Sequence, residues 1–106
     1  MIYKSKRSKA CAISREVRKK VELRDSIDGV PSCIFCGRAG RGEAHLINRS
    51  QGGLGIEQNI ITVCRACHRE MDNGKHTQIY RDKAEAYLKS IYPDCNRSQL
   101  FYNKWR

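Results

Sequence analysis

A chain of 106 residues has room for one domain with a modest core, and its six cysteines point to extra fastening by disulfides or a metal. With 21 Lys and Arg against 11 Asp and Glu, the net charge of +10 gives a surface that attracts polyanions and disfavours cationic partners. No apolar run approaches the roughly 20 residues of a membrane span, the best being Ile60-Ile61-Thr62-Val63, so no membrane association is expected.

The basic start MIYKSKRSKACAIS runs straight into Arg15, Glu16, Arg18, Lys19 and Lys20 without an apolar stretch. No secretory signal is therefore expected. The expected setting is cytoplasmic, where thiols stay reduced and clustered cysteines hold metal more often than they pair. Residues 1–25 carry nine bases against three acids. Ser14 suits an N-cap, and Ile13, Val17 and Val21 recur every four residues, which predicts an amphipathic helix over 14–25. Its polar face is almost all base, making Arg15, Arg18 and Lys19 candidate phosphate contacts; a solvated basic face is the plain alternative.

Residues 26–32, SIDGVPS, are turn chemistry. Gly37, Gly40 and Gly42 mark loop, Glu43 to Ile47 reads as a short strand, and 48–59 with Gly52, Gly53 and Gly55 reads as a long loop. Ile60 to Val63 is a second strand. A helix is expected from about Arg65 to Asp72, ended by Asn73 and Gly74. From Thr77 to Tyr92 a helical stripe holds Ile79 or Tyr80 with Ala84, Tyr87, Leu88 and Ile91, assigned to core packing rather than base stacking, and Pro93 stops it. A last short helix is expected to hold Leu100, Phe101 and Trp105. The fold class is α+β in one domain over 1–106: a basic N-terminal helix 14–25, a core 33–74 and a C-terminal helical extension 77–106.

Cys33-Ile34-Phe35-Cys36 and Cys64-Arg65-Ala66-Cys67 are two C-x2-C pairs separated by 27 residues. Each pair presents two thiolates from one tight turn, and four soft ligands fit tetrahedral zinc with no position left for water, hence a structural Zn2+. His68 adjoins Cys67, but adjacent residues rarely turn to one ion, so Cys67 is the preferred ligand. Cys11 and Cys95 lie outside this spacing and read as ordinary small apolar residues.

Between and just after these pairs the chain reads EAHLINRSQGGLGIEQNIITVCRACHREMDNG. A His on a strand, then R-S-x-G-G, an Asn before an apolar strand, and C-x-x-C-H opening a helix resemble the HNH nucleases, specifically the small zinc-bearing phage type. The resemblance covers about residues 33–74. It implies a ββα-metal core, two strands and a helix gripping one divalent ion, here stapled by the four-cysteine zinc site and flanked by N- and C-terminal helices.

What the resemblance implies for individual residues also makes chemical sense. His45 would be the general base, a neutral imidazole taking a proton from the attacking water. Asn59 would pin the glycine-rich loop and help orient His45. His68 would ligate the catalytic ion, and Asp72, four residues on and thus on the same helical face, would join it. A mixed His and carboxylate shell suits Mg2+ or Mn2+. Arg49, Arg65 and Arg69 are the nearest guanidinium groups for gripping phosphates. The implied activity is hydrolysis of phosphodiesters in DNA or RNA, with double-stranded DNA the favoured substrate, in a phage-type setting where small nucleases of this kind work beside larger packaging proteins.

Two positions depart from the pattern. Relatives carry a metal-ligating Asp or His where this chain has Ala44, and Asn48 replaces a customary proline. Glu43 is the nearest substitute ligand, although strand alternation would point it with His45 and away from Ala44. Either Glu43 reaches the ion through a bulge, or His68 and Asp72 hold it with more water, or turnover is weak or lost. The last outcome defines the competing reading, a zinc-stapled nucleic-acid-binding module without activity. A secreted disulfide miniprotein is the third and would resist chelators.

Overall fold

The computed structural model describes residues 5–103. In chain order these form α1 (Lys6–Cys11), α2 (Arg15–Arg24), the short strands β1 (Ser26–Ile27) and β2 (Val30–Pro31), β3 (Arg41–His45), β4 (Ile60–Val63), α3 (Arg65–Asn73) and α4 (Thr77–Ile91). Single 3-10 turns lie at Arg49–Gln51 and Arg97–Leu100.

The expected basic helix is α2, with the Ser14 hydroxyl oxygen accepting the Val17 N–H at 3.1 Å. Two elements exceed the sequence reading. Helix α1 spans only six residues and offers no apolar stripe long enough to register as periodicity, so its stability comes from tertiary contacts. The stretch read as turn is a hairpin, in which Asp28 (φ 51°) and Gly29 (φ 79°) both adopt the left-handed conformation that a two-residue loop requires.

Strands β3 and β4 pair antiparallel through Arg41 with Val63, Gly42 with Thr62, Ala44 with Ile61 and His45 with Ile60. Glu43 is therefore the extra residue of a bulge. Partners in a ladder share a face, and Thr62 and Ile60 are two apart, so Gly42 and His45 lie on the same side of the sheet. Without the bulge, residues three apart would face opposite ways. Helix α2 covers that side so closely that a Cβ on Gly42 would stand 3.0 Å from Val21 Cγ1. On the other side Ala44, Ile61 and Val63 join Cys67, Met71, Ala84, Leu88 and Leu100 in the core.

Strand β3 begins and ends two residues earlier than the expected Glu43–Ile47. Ile47 leaves the ladder because the Asn59 side chain takes over its backbone: the Ile47 N–H donates to Asn59 Oδ1 at 2.9 Å, and Asn59 Nδ2 donates to the Ile47 carbonyl at 3.2 Å. Helix α3 closes at Gly74 as read. In α4 the packed stripe is Tyr80, Ala84, Tyr87 and Leu88, whereas Ile79 is 53% and Ile91 37% exposed. Tyr80 rather than Ile79 shares the helical phase of Ala84 and Leu88, and it meets Phe35 of the first cysteine turn edge-on at 4.9 Å between ring centres. The expected last helix is the 3-10 turn ending at Leu100; Phe101 bridges to Gly53, and Trp105 lies outside the described residues.

Helices and sheet are joined by a buried polar network at the end of α2. The Arg24 guanidinium donates to both Asp25 carboxylate oxygens (2.7 and 2.9 Å) and to the carbonyls of Glu57 (2.8 Å) and Ile60 (2.7 Å). Tyr87 O–H and the Thr62 N–H donate to the same carboxylate. Among the described residues no helix is long and apolar enough to cross a membrane.

Candidate active site

Four cysteines from two separate turns converge. The Sγ atoms of Cys33, Cys36, Cys64 and Cys67 all lie within 4.8 Å of one another, with Cys36 and Cys64 3.6 Å apart. A tetrahedron with metal–sulfur bonds of about 2.3 Å has edges of about 3.8 Å, so the set is compatible with zinc. Cys64 is the N-cap of α3, where its sulfur accepts the Cys67 N–H at 3.4 Å. Burial opposes its ionisation, but that N–H and the neighbouring thiols outweigh burial and draw Cys64 down to about 7. Burial and the Cys64 and Cys33 sulfurs push Cys67 the other way. Thiols this close cannot all ionise unless a cation joins them, which is the chemistry a divalent soft metal supplies. Cys11 is buried and Cys95 half-buried, both away from the set.

His45 ends β3, half-buried on the α2 side. Its Nε2 lies 2.8 Å from the Cys11 carbonyl oxygen. A carbonyl can only accept, so Nε2 carries the proton and, in the neutral ring, Nδ1 carries the lone pair. Burial is the main influence on the ring, and with Arg49 and His68 it holds His45 below the ordinary 6.5, against the opposing pull of the Cys11 carbonyl and Asp72. The imidazole is thus neutral at physiological pH, and Arg49, Asp72 and His68 all lie within its electrostatic reach.

On α3 the expected i, i+4 pair is formed: His68 Nε2 stands 3.1 Å from Asp72 Oδ2, with the two side chains 30% and 39% exposed. The other Asp72 oxygen faces Arg81 of α4 at 3.3 Å. The same guanidinium donates to Asn48 Oδ1 at 2.9 Å and to the Leu46 carbonyl, tying α4 to the start of the glycine-rich loop. Among the described residues the cysteines are the one set of three or more His, Cys, Asp or Glu side chains converging so closely, so Glu43 is not gathered with His68 and Asp72 despite its bulge. One imidazole nitrogen and one carboxylate oxygen on α3 form a mixed donor set that a divalent ion such as Mn2+ would accept with solvent completing its shell, while Mg2+ would lean on the carboxylate and water. Ala44 offers no ligand atom and is buried in the core.

Asn59 is fully buried and reaches across the loop rather than to His45; besides Ile47 it donates to the Leu54 carbonyl at 2.8 Å. Gly53 packs so tightly inside this clamp that a Cβ would stand 1.7 Å from the Ile47 carbonyl oxygen. Arg49, Arg65 and Arg69 are exposed, as are Arg15 and Lys19, while Arg18 is half-buried with its Nε lacking a hydrogen-bond partner. Two participants escaped the sequence reading. Arg81 shows there only as a polar residue beside an apolar stripe, and the Cys11 carbonyl is backbone, which no side-chain pattern announces.

The family model described as HNH endonuclease matches residues 33–74. No curated protein and no solved structure matches the chain significantly. The matched stretch runs from the first cysteine of the metal set through β3, β4 and α3 to the cap of α3, and it includes His45, Asn59, His68 and Asp72. Residues 33–74 are thus similar to the HNH endonucleases, a family whose members are generally nucleases acting on nucleic acids.

Proposed function

We propose that the chain is a metal-dependent endonuclease that hydrolyses phosphodiester bonds in double-stranded DNA. The observation that carries this reading is the neutral His45 ring, tethered through Nε2 at 2.8 Å to a backbone carbonyl, so that Nδ1 is left to take a proton. His45 is the general base, accepting the proton of the attacking water at Nδ1. His68 and Asp72 would hold a Mg2+ or Mn2+ ion, whose Lewis acidity neutralises charge on the scissile phosphate when it is bound. Asn59 keeps the 47–54 backbone in shape behind the base, and Arg49, with Arg65 and Arg69 on α3, grips phosphate oxygens. Basic α2, through Arg15, Arg18 and Lys19, supplies non-specific attraction to the backbone of the duplex. The four cysteines hold one structural Zn2+, and the molecule folds as one domain working in the cytoplasm. A phage-type setting beside packaging proteins is part of the same proposal.

A nicking assay on supercoiled plasmid with Mg2+ or Mn2+ tests this. Cleavage is expected, and His45→Ala should lose it by two orders of magnitude or more with folding and duplex binding unchanged. The second reading, a nucleic-acid-binding module without turnover, draws on buried Ala44 and on the occupation of Asp72 by Arg81. It would be favoured by a native chain that binds duplex in a salt-dependent way and cuts with no divalent ion.

A further inference from the structure

Helix α1 lies outside the matched residues 33–74, yet three of its contacts converge on the loop that follows His45. Arg7 donates to the Ser50 carbonyl at 3.0 Å. The Gly55 N–H donates to the Ala10 carbonyl at 3.0 Å. Gly55 approaches the end of α1 so closely that a Cβ there would stand 2.0 Å from the Ala12 carbonyl oxygen. The Cys11 carbonyl, between these two, is one of the last-turn acceptors that a helix cannot satisfy from within. It is satisfied by His45 Nε2 at 2.8 Å.

We propose that α1 is the positioning element for His45, with the Cys11 carbonyl fixing which ring nitrogen bears the proton and Gly55 fixing where that carbonyl stands. The inference rests on the reading of His45 as general base. A neutral imidazole has two tautomers, and only the one protonated at Nε2 presents a lone pair at Nδ1. The acceptor at the helix end selects that tautomer, holds the ring plane, and stabilises the imidazolium formed once Nδ1 has taken a proton. The role parallels that of the carboxylate behind the histidine in a serine-protease triad, with a backbone oxygen in its place. Part of the reaction geometry is thereby assigned to a segment that the family's own motif does not contain.

Two perturbations test it without touching His45. Gly55→Ala forces the Ala12 carbonyl, and with it the end of α1, away from the loop. Lactic acid in place of Ala12, introduced by semisynthesis, turns the Cys11 carbonyl into an ester carbonyl and a poorer acceptor. The first readout is the 15N NMR spectrum of the His45 ring at pH 8, where the wild type should show the Nε2–H tautomer almost alone. In each folded variant the Nδ1–H form should rise to a comparable share. Plasmid cleavage should fall about tenfold in kcat, what one hydrogen bond to the base is worth, with KM within about twofold. A ring that stays in the Nε2–H form in both variants overturns the proposal, and the ester variant decides alone if Gly55→Ala does not fold. A tautomer shift in a chain that cuts with no ion would support α1 as positioning element while removing the nuclease reading. An unshifted tautomer with cleavage intact would do the reverse.

Discussion

Replacing Asp25 by Asn preserves shape and changes only charge and hydrogen-bond direction, which isolates what the buried carboxylate does. Its two oxygens receive four donors: Arg24 Nε and Tyr87 O–H on one, an Arg24 amino group and the Thr62 N–H on the other. An amide offers one oxygen, so two donors are left facing an NH2 group. Each orphaned buried donor costs about 1–3 kcal/mol. Arg24, whose side chain is 13% exposed, loses its counter-charge as well. Breaking a buried pair from one side costs about 3–5 kcal/mol. We expect that loss in urea unfolding of the zinc-loaded protein, together with a fall in Tm of about 20 °C for a domain of this size. The pH dependence follows in sign. Burial alone would raise the Asp25 pKa, but the hydrogen bonds from Arg24 and Tyr87 outweigh it and hold the carboxyl below its ordinary 3.8. A group depressed on folding contributes its stability fully above 3.8 and loses it as pH falls through the lower, folded value. Asp25→Asn should therefore flatten the acid limb of the stability profile. A loss under about 1 kcal/mol, with that limb unchanged, would refute the assignment of the network as the joint between α2, β4 and α4.

Two further outcomes follow from the geometry. One zinc per chain is expected by elemental analysis, and chelation should abolish the folded far-UV spectrum, because a metal would join Cys33 and Cys36 to Cys64 and Cys67, which are not sequence neighbours. Cys67→Ser should reproduce the effect, whereas Cys95→Ser, away from the set, should leave zinc content and Tm unchanged. Asn59→Ala removes three hydrogen bonds from a fully buried position, so a loss of about 2–4 kcal/mol is expected, with the Ile47 amide, now unpaired, exchanging much faster than in the wild type by NMR.

Much of the site was legible because its chemistry is written in spacing. Two C-x2-C turns predict a four-thiolate set wherever the chain brings them together, and the structure brings them within 4.8 Å. His68 and Asp72 at i, i+4 must share a helical face, and they meet at 3.1 Å. The α2 cap, β4 and α3 followed from local signals that need no partner to act. What local signals could not give were elements stabilised only by contact. Helix α1 is too short to form alone, the end of β3 is decided by Asn59 twelve residues away, and Arg81 meets Asp72 and Asn48 only because α4 folds back on the loop.

The amino-acid order by itself determined the four-cysteine set, the pairing of His68 with Asp72 and the polyanion-seeking charge, since side-chain identity and a fixed helical or turn geometry suffice for each. Tertiary structure alone decided where the His45 ring sits and what it touches. The bulge at Glu43 turns its ring to the α2 side of the sheet, and the docking of α1 supplies the carbonyl at 2.8 Å. Both depend on pairing between distant segments, where a one-residue change of register reverses every side chain, and no local preference encodes that choice.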